Sequence, residues 1–223
     1  MGTLNLFPLY LSFRVATTAT VIGIIIGLPI AYLLSKGNGK IIDFIDTLTN
    51  LPVVLPPTVL GYYILILLGR QSPIGIFLEK HFNTMIVFTP TGAIIAATIV
   101  SIPFLIKSSK ASFIEINKDY LNAARLLGRS EINIFFTIVI PIAWRGILAG
   151  VTMTFVRALG DFGTTLMVSG SIPGKTMTMP IAIYDALQVG NKELANLLVF
   201  VMTCIAIIVL FTINWLERKM KRG

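Results

Sequence analysis

Arg157 and Asp161 are the only ionisable residues deep within any long apolar run of this sequence, and a spacing of four sets both on one face of a helix. A charge at membrane depth costs at least a few kcal/mol, so such groups pair, face protein or water, and often mark a pathway. Two readings stand: a mutual pair that locks this run against its neighbours, or a polar lining for a passing anion. Thr164 and Thr165, with Thr152, Thr154 and Ser169, could offer hydroxyl donors to an oxyanion, although threonines in membrane helices also pack and bond back to their own backbone. Other chemistry is thin. There is no H-E-x-x-H and no G-x-S-x-G, His81 sits alone in a polar loop, and Cys204 is the single cysteine, so no nucleophile, metal set or cofactor is expected in the chain. Gly170-x3-Gly174-Lys175-Thr176 has the residue types of a phosphate cradle. It has three intervening residues where four are required and follows an apolar run in place of a strand, so an external loop is expected.

The elements that must position these residues are membrane helices. Of 223 residues 55% are hydrophobic and 13% charged, the mean hydropathy is +0.86, and the apolar residues come in runs of about 20. Five spans are expected, at about 12–35, 51–68, 86–106, 146–169 and 195–216, in a single all-α transmembrane domain covering 1–223. Pro56-Pro57 predicts either irregular backbone at the start of the second span or a plain helix start at its first turn. Gly92, Ala93, Ala96, Ala97 and Ser101 suit close packing of the third span, and a short helix is expected over Met179 to Gln188. Met1 is not followed by a basic segment and no small-residue cleavage site ends the first run, so that run is expected to remain in the membrane.

The longest polar interruption, 107–145, contains Lys118 to Pro141. Asp119 falls in a first helical turn where a carboxylate suits the dipole, and Gly128 can close the helix in a left-handed conformation. On spacing alone this is an amphipathic surface helix with a glycine cap, followed by a stretch, Ile132 to Ile142, apolar enough for the interface. A formal charge of +8 could indicate nucleic acid, but the basic residues flank apolar runs without interleaved exposed aromatics, so membrane topology accounts for them and no nucleic acid is expected. With the C-terminus cytoplasmic and the N-terminus outside, 12 of the 18 basic residues lie inside and 4 outside. Trp144 and Trp215 then both meet the inner interface, and 107–145 is cytoplasmic.

Asn122-Ala123-Ala124, Gly128 and Ile138-x-Ile140-Pro141 resemble the Glu-Ala-Ala-x3-Gly-x9-Ile-x-Leu-Pro signature of type I ABC importer permeases, with Asn122 for Glu and Ile140 for Leu. Arg157-Ala-Leu-Gly160-Asp161-Phe-Gly163 and Ser171-Ile-Pro-Gly174-Lys175-Thr176-x-Thr178-x-Pro180-x-Ala-Ile-Tyr184 are similar to motifs of molybdate and tungstate permeases, where Glu and Asn stand at the positions of Asp161 and Ser171. The resemblance extends from about Pro8 to Leu216. It implies a homodimer in the cell membrane, two cytoplasmic ATP-binding subunits that carry the ATP and Mg, and an extracytoplasmic oxyanion-binding protein. The permease itself would have no ATPase site. Asp119, Asn122, Ala123, Ala124, Gly128 and Pro141 would form the coupling contact. Arg157, Asp161, Thr164 and Thr165 are candidates for the translocation pathway. Sulfate or thiosulfate permeases are the near alternative, separated mainly by the Gly174 to Tyr184 segment. A standalone anion channel or secondary transporter is the rival class.

Overall fold

The computed structural model describes residues 6–221, without the side chains at 213, 214 and 216–221. The expectations that rest on Met1 and on the basic tail therefore lie outside the described residues and side chains. Among those described the chain is entirely helical: α1 (Phe7–Lys36), α2 (Lys40–Val54), α3 (Pro57–Leu68), α4 (Pro73–Phe82), α5 (Pro90–Ile114), α6 (Lys118–Leu126), α7 (Glu131–Ile134), α8 (Ile140–Leu159), α9 (Gly163–Ser169), α10 (Met179–Gln188) and α11 (Lys192–Lys221). A π turn, Phe135–Val139, joins α7 to α8, so that Glu131–Leu159 is one continuous span.

The core forms around α5, because its small residues let two neighbours approach. Ala93, Ala96, Ala97 and Ser101 are fully buried, and α1 contributes Ala16, Ala19, Gly23, Gly27 and Ala31 at helical spacing. Without large side chains between them, α1 and α8 lie closely along α5. A Cβ on Gly146 of α8 would fall 1.6 Å from Ser112 Oγ, and one on Gly150 would fall 3.1 Å from the Leu105 Cα. Two hydroxyls tie α5 and α8 together: Thr154 donates to the Ser101 carbonyl at 3.3 Å and Ser108 to that of Gly146 at 2.8 Å.

Among the described residues four helices are long and apolar enough to cross a membrane: α1, α5, the 131–159 span and α11. The fifth candidate is bent. In place of one span over 51–68, α2 and α3 meet at an angle of 115° across Leu55-Pro56. Pro57 opens α3 as its first residue and Pro56 lies outside it, so irregular backbone and a proline start occur together. The polar stretch before this span is helical too, as α2, none of whose residues is buried within the chain. The loop after it contains α4, started by Ser72, which accepts from the Gly75 N–H at 2.8 Å.

The other boundaries shift outward. α5 runs to Ile114, past Lys107 where the apolar run ends, since helical hydrogen bonding does not stop at a charge, and α1 begins at Phe7 with Pro8 in its first turn. The fourth span begins at Glu131 and ends at Leu159, in contrast to the expected 146–169. Gly160 and the buried Asp161 break it, and Thr164, Thr165 and Ser169 belong to the separate α9. The helix predicted over Met179 to Gln188 has those bounds.

Candidate coupling helix and buried ion pair

The coupling candidate is α6. Asn117 caps its start by accepting from the Asp119 N–H at 2.9 Å, and the Asp119 carboxylate lies in the first turn. Its end is a Schellman motif: Gly128 has φ +76°, its N–H donates to the Arg125 carbonyl at 2.9 Å, and the Arg129 N–H donates to that of Ala124 at 3.1 Å. Only glycine adopts this backbone without strain, and nothing lies within 4 Å of where a Cβ would stand. Asp119, Asn122, Ala123 and Gly128 are exposed. So are Leu126 and Leu127, at 89% and 81%. Two such leucines beside a capped helix end form an apolar tip with no cover from this chain. Ala124 differs. It is buried against the cluster of Phe113, Ile116 and Ile134, so its small size serves the chain's own packing.

Charged side chains brace α6 against the body. Arg125 donates from Nη1 to Asn122 at 2.8 Å and from Nε to Glu131 at 2.7 Å, while Lys36 at the end of α1 pairs with the other Glu131 oxygen and sits 3.9 Å over the Tyr32 ring. The hydrogen bond with Glu131 holds the Arg125 pKa above its ordinary value. Pro141 is exposed near the start of α8, directly after the π turn. A proline has no N–H to donate one turn back and crowds that carbonyl, and a widened turn relieves both. Between α6 and the 131–159 span opens a shallow apolar groove of about 480 Å³, walled by Tyr120, Ala123, Leu127, Ile138 and Ile142.

The second candidate set meets where α8 gives way to α9. Arg157 Nη1 donates to Asp161 Oδ1 at 3.2 Å, with the arginine side chain 30% and the aspartate 1% exposed. The other carboxylate oxygen accepts from the Thr165 N–H at 2.9 Å and its hydroxyl at 2.7 Å, which caps the first turn of α9. Thr164 donates to the Pro57 carbonyl at 3.2 Å. A Cβ on Gly61 of α3 would lie 2.6 Å from Met167 Cβ, so α3 and α9 touch nearly backbone to backbone. All four predicted residues thus come together: the Asp161 oxygens and the Thr164 and Thr165 hydroxyls bond inside the chain, while Arg157 gives one N–H to Asp161 and stays partly exposed. Ser169 bonds back to the Thr165 carbonyl at 2.8 Å.

The glycine-rich segment following α9 is a self-bonded loop. Gly170 and Gly174 have φ near +70°, and the buried Thr176 hydroxyl donates to the Gly170 carbonyl at 3.3 Å and accepts from the Ile172 N–H at 3.1 Å. The hydroxyl that a nucleotide site would aim outward is turned in.

The structure is thus a helical bundle packed on small residues, with the capped α6 set between α5 and the 131–159 span. The chain belongs to the family of binding-protein-dependent transport system inner membrane components, which it matches over residues 19–222. It is a multi-pass permease subunit of an ABC importer. YvgM of Bacillus subtilis (strain 168) is 39% identical over 93% of this chain and 91% of that protein. The molybdenum transport system permease protein ModB of Haemophilus influenzae is 32% identical over 95% and 93%, and that of Escherichia coli K12 is 34% identical over 93% and 91%. Among solved structures, the inward-facing MetNI methionine ABC transporter has a chain that superposes with a TM-score of 0.72, covering 95% of this chain and 94% of that one at 18% identity. That likeness shows the type I importer fold.

Proposed function

We propose that the chain is the membrane-spanning half of an ATP-driven importer for molybdate or tungstate, working as a homodimer. α6 docks on a cytoplasmic ATP-binding subunit, one for each copy, and an extracytoplasmic protein delivers the anion. Both termini follow the basic-residue asymmetry, N-terminus outside and C-terminus inside. The observation that carries the coupling reading is the apolar tip Leu126-Leu127 on a helix fixed at both ends by caps, which is a preorganised, unpartnered surface. The relatives named for molybdenum transport, similar along nearly their whole length, support the substrate.

In the cycle, ATP-driven approach of the two partner subunits would draw the two α6 helices together. The 131–159 helix is continuous with the segment that follows α6, so its tilt changes with that movement, and the differential affinity of the partner for the two arrangements supplies the free energy. The Arg157–Asp161–Thr165 joint acts in this scheme as a lock between α8 and α9, and not as a binding site, because the Arg157 charge is already paired with a buried carboxylate that Thr165 also holds. Hydrolysis belongs to the partner, and ATP and Mg are bound there.

Co-expression with an ATPase encoded beside it and with the binding protein tests the reading. Uptake of molybdate that requires all three, and that stops when the ATPase is inactivated, is the expected outcome. Uptake driven by an ion gradient without an ATPase would make the chain a secondary transporter, and a binding protein that prefers sulfate would reassign the substrate.

A further inference from the structure

A cavity of about 630 Å³ lies between the ends of α1 and α5, the start of α2, and α6, a region that neither the coupling tip nor the buried ion pair uses. Its walls bring together four cations from three elements, Lys36 of α1, Lys110 of α5, and Lys118 and Arg125 of α6, against one carboxylate, Asp43 of α2. Ion pairs use some of this charge, since Lys110 meets Asp46 at 3.0 Å and Lys36 and Arg125 share Glu131. Two features remain unexplained by these pairs. Among the described residues Lys118 makes no ion pair. The Tyr32 hydroxyl, also on the cavity wall, is buried with no hydrogen-bond partner. A buried hydroxyl without an acceptor is uncommon and costly, and here its residue borders a space where four cations face the single carboxylate of Asp43. A basic pocket at the ends of membrane helices is the chemistry that receives a phosphate.

We propose that this cavity binds a tetrahedral oxyanion, held by the Tyr32 hydroxyl and the Lys118 ammonium, with the remaining hydrogens of Lys110 and Arg125 as further donors. Its volume admits a lipid phosphodiester as readily as a free inorganic anion. Lys118 and Arg125 ride on α6 whereas Tyr32 and Lys110 belong to the bundle, so the bound anion ties the coupling helix to the body in its present position. The binding itself does not depend on α6 being the coupling element.

The test uses the full chain purified in detergent and in nanodiscs, as wild type, Tyr32→Phe, Lys118→Gln, and Lys80→Gln on the distant α4 as control. Thermal unfolding in detergent is followed against inorganic phosphate and molybdate, and native mass spectrometry counts phosphatidylglycerol retained from nanodiscs containing it. A free-anion site gives a saturable rise in the midpoint in wild type and Lys80→Gln, with the half-saturating concentration raised about tenfold or more in Tyr32→Phe and Lys118→Gln, each of which removes one bond to a charged group. A lipid site gives phosphatidylglycerol retained by wild type and Lys80→Gln and lost from the other two, without any response to inorganic anion. Tyr32→Phe removes an unpaired hydroxyl, so without anion it unfolds no lower than wild type, which separates lost binding from lost folding. If neither anion nor lipid binds, or if Tyr32→Phe and Lys118→Gln bind as the control does, the proposal is overturned.

Discussion

Replacing Asp161 with alanine should be among the most damaging single changes in the chain, and the structure gives the reason in three bonds. The side chain is 1% exposed and accepts from the Thr165 N–H, the Thr165 hydroxyl and Arg157. Alanine orphans two donors of Thr165, itself 1% exposed, at about 1–3 kcal/mol each. Arg157, 30% exposed, loses its partner but keeps some access to water or lipid headgroups, so it adds little. The total is about 4 kcal/mol. Arg157→Ala leaves the carboxylate charged and buried but still bonded twice by Thr165, which places the loss near about 3 kcal/mol, the low end for breaking a buried pair. Asp161→Asn keeps an acceptor for Thr165 and should cost about 1–2 kcal/mol. The assay is the thermal midpoint of monodisperse protein in detergent, read by fluorescence-detected size exclusion, beside molybdate uptake. The expected order of midpoints is wild type, Asp161→Asn, Arg157→Ala, Asp161→Ala, with uptake falling in the same order. An Arg157→Ala protein with a wild-type midpoint and no uptake would refute the locking account and make the pair part of the anion's path.

Gly128→Leu forces a left-handed backbone on a branched residue at a cost of about 1–2 kcal/mol, and should abolish stimulation of the partner ATPase while membrane insertion stays intact, as measured by fractionation and ATP hydrolysis. Leu126→Asp with Leu127→Asp should weaken co-purification of the ATPase by at least tenfold with no change in the permease's own midpoint, since both side chains face outward. Gly146→Val must displace Ser112 and part α5 from α8, so its midpoint should fall by the equivalent of about 1–3 kcal/mol; an unchanged midpoint would contradict the close packing. Calorimetry with the purified permease should find no molybdate bound by the translocation path tighter than roughly millimolar, because a tight site would trap the ion. Any tighter binding must vanish in Lys118→Gln.

The parts of this architecture carried by local chemistry were legible in the sequence. Asn117 through Gly128 contain cap, dipole and left-handed glycine, and α6 follows them; α10 opens with Pro180 in its first turn and follows the apolar pattern after it, without a side-chain cap. The spans were legible as apolar mass but not as mechanical units. Hydropathy does not register that Asp161 prefers to cap a new helix over continuing the old one, nor that Pro56 turns a span by 115°. α2 escaped notice because Asp43 and Asp46 interrupt its apolar residues, and the surface that would explain Ile41, Phe44 and Leu48 is absent from the chain's own interior. The cavity beside α6 joins residues 32, 36, 110, 118 and 125, and no local pattern links them.

The absence of any break between Glu131 and Leu159 has a mechanical consequence. Twenty-nine residues of unbroken helix make a rod about 43 Å long. Its two ends are anchored to different things, one to Arg125 and Lys36 through Glu131, the other to α9 through Arg157 and Asp161. A rod pinned at both ends transmits rotation rather than absorbing it, and the only place along it with altered winding is the π turn at its α6 end. A tilt of a few degrees imposed there reappears as a shift of about 1 Å at the far end, with a change of sense on either side of the pivot where Gly146 and Gly150 press on α5. The geometry makes those two glycines the fulcrum.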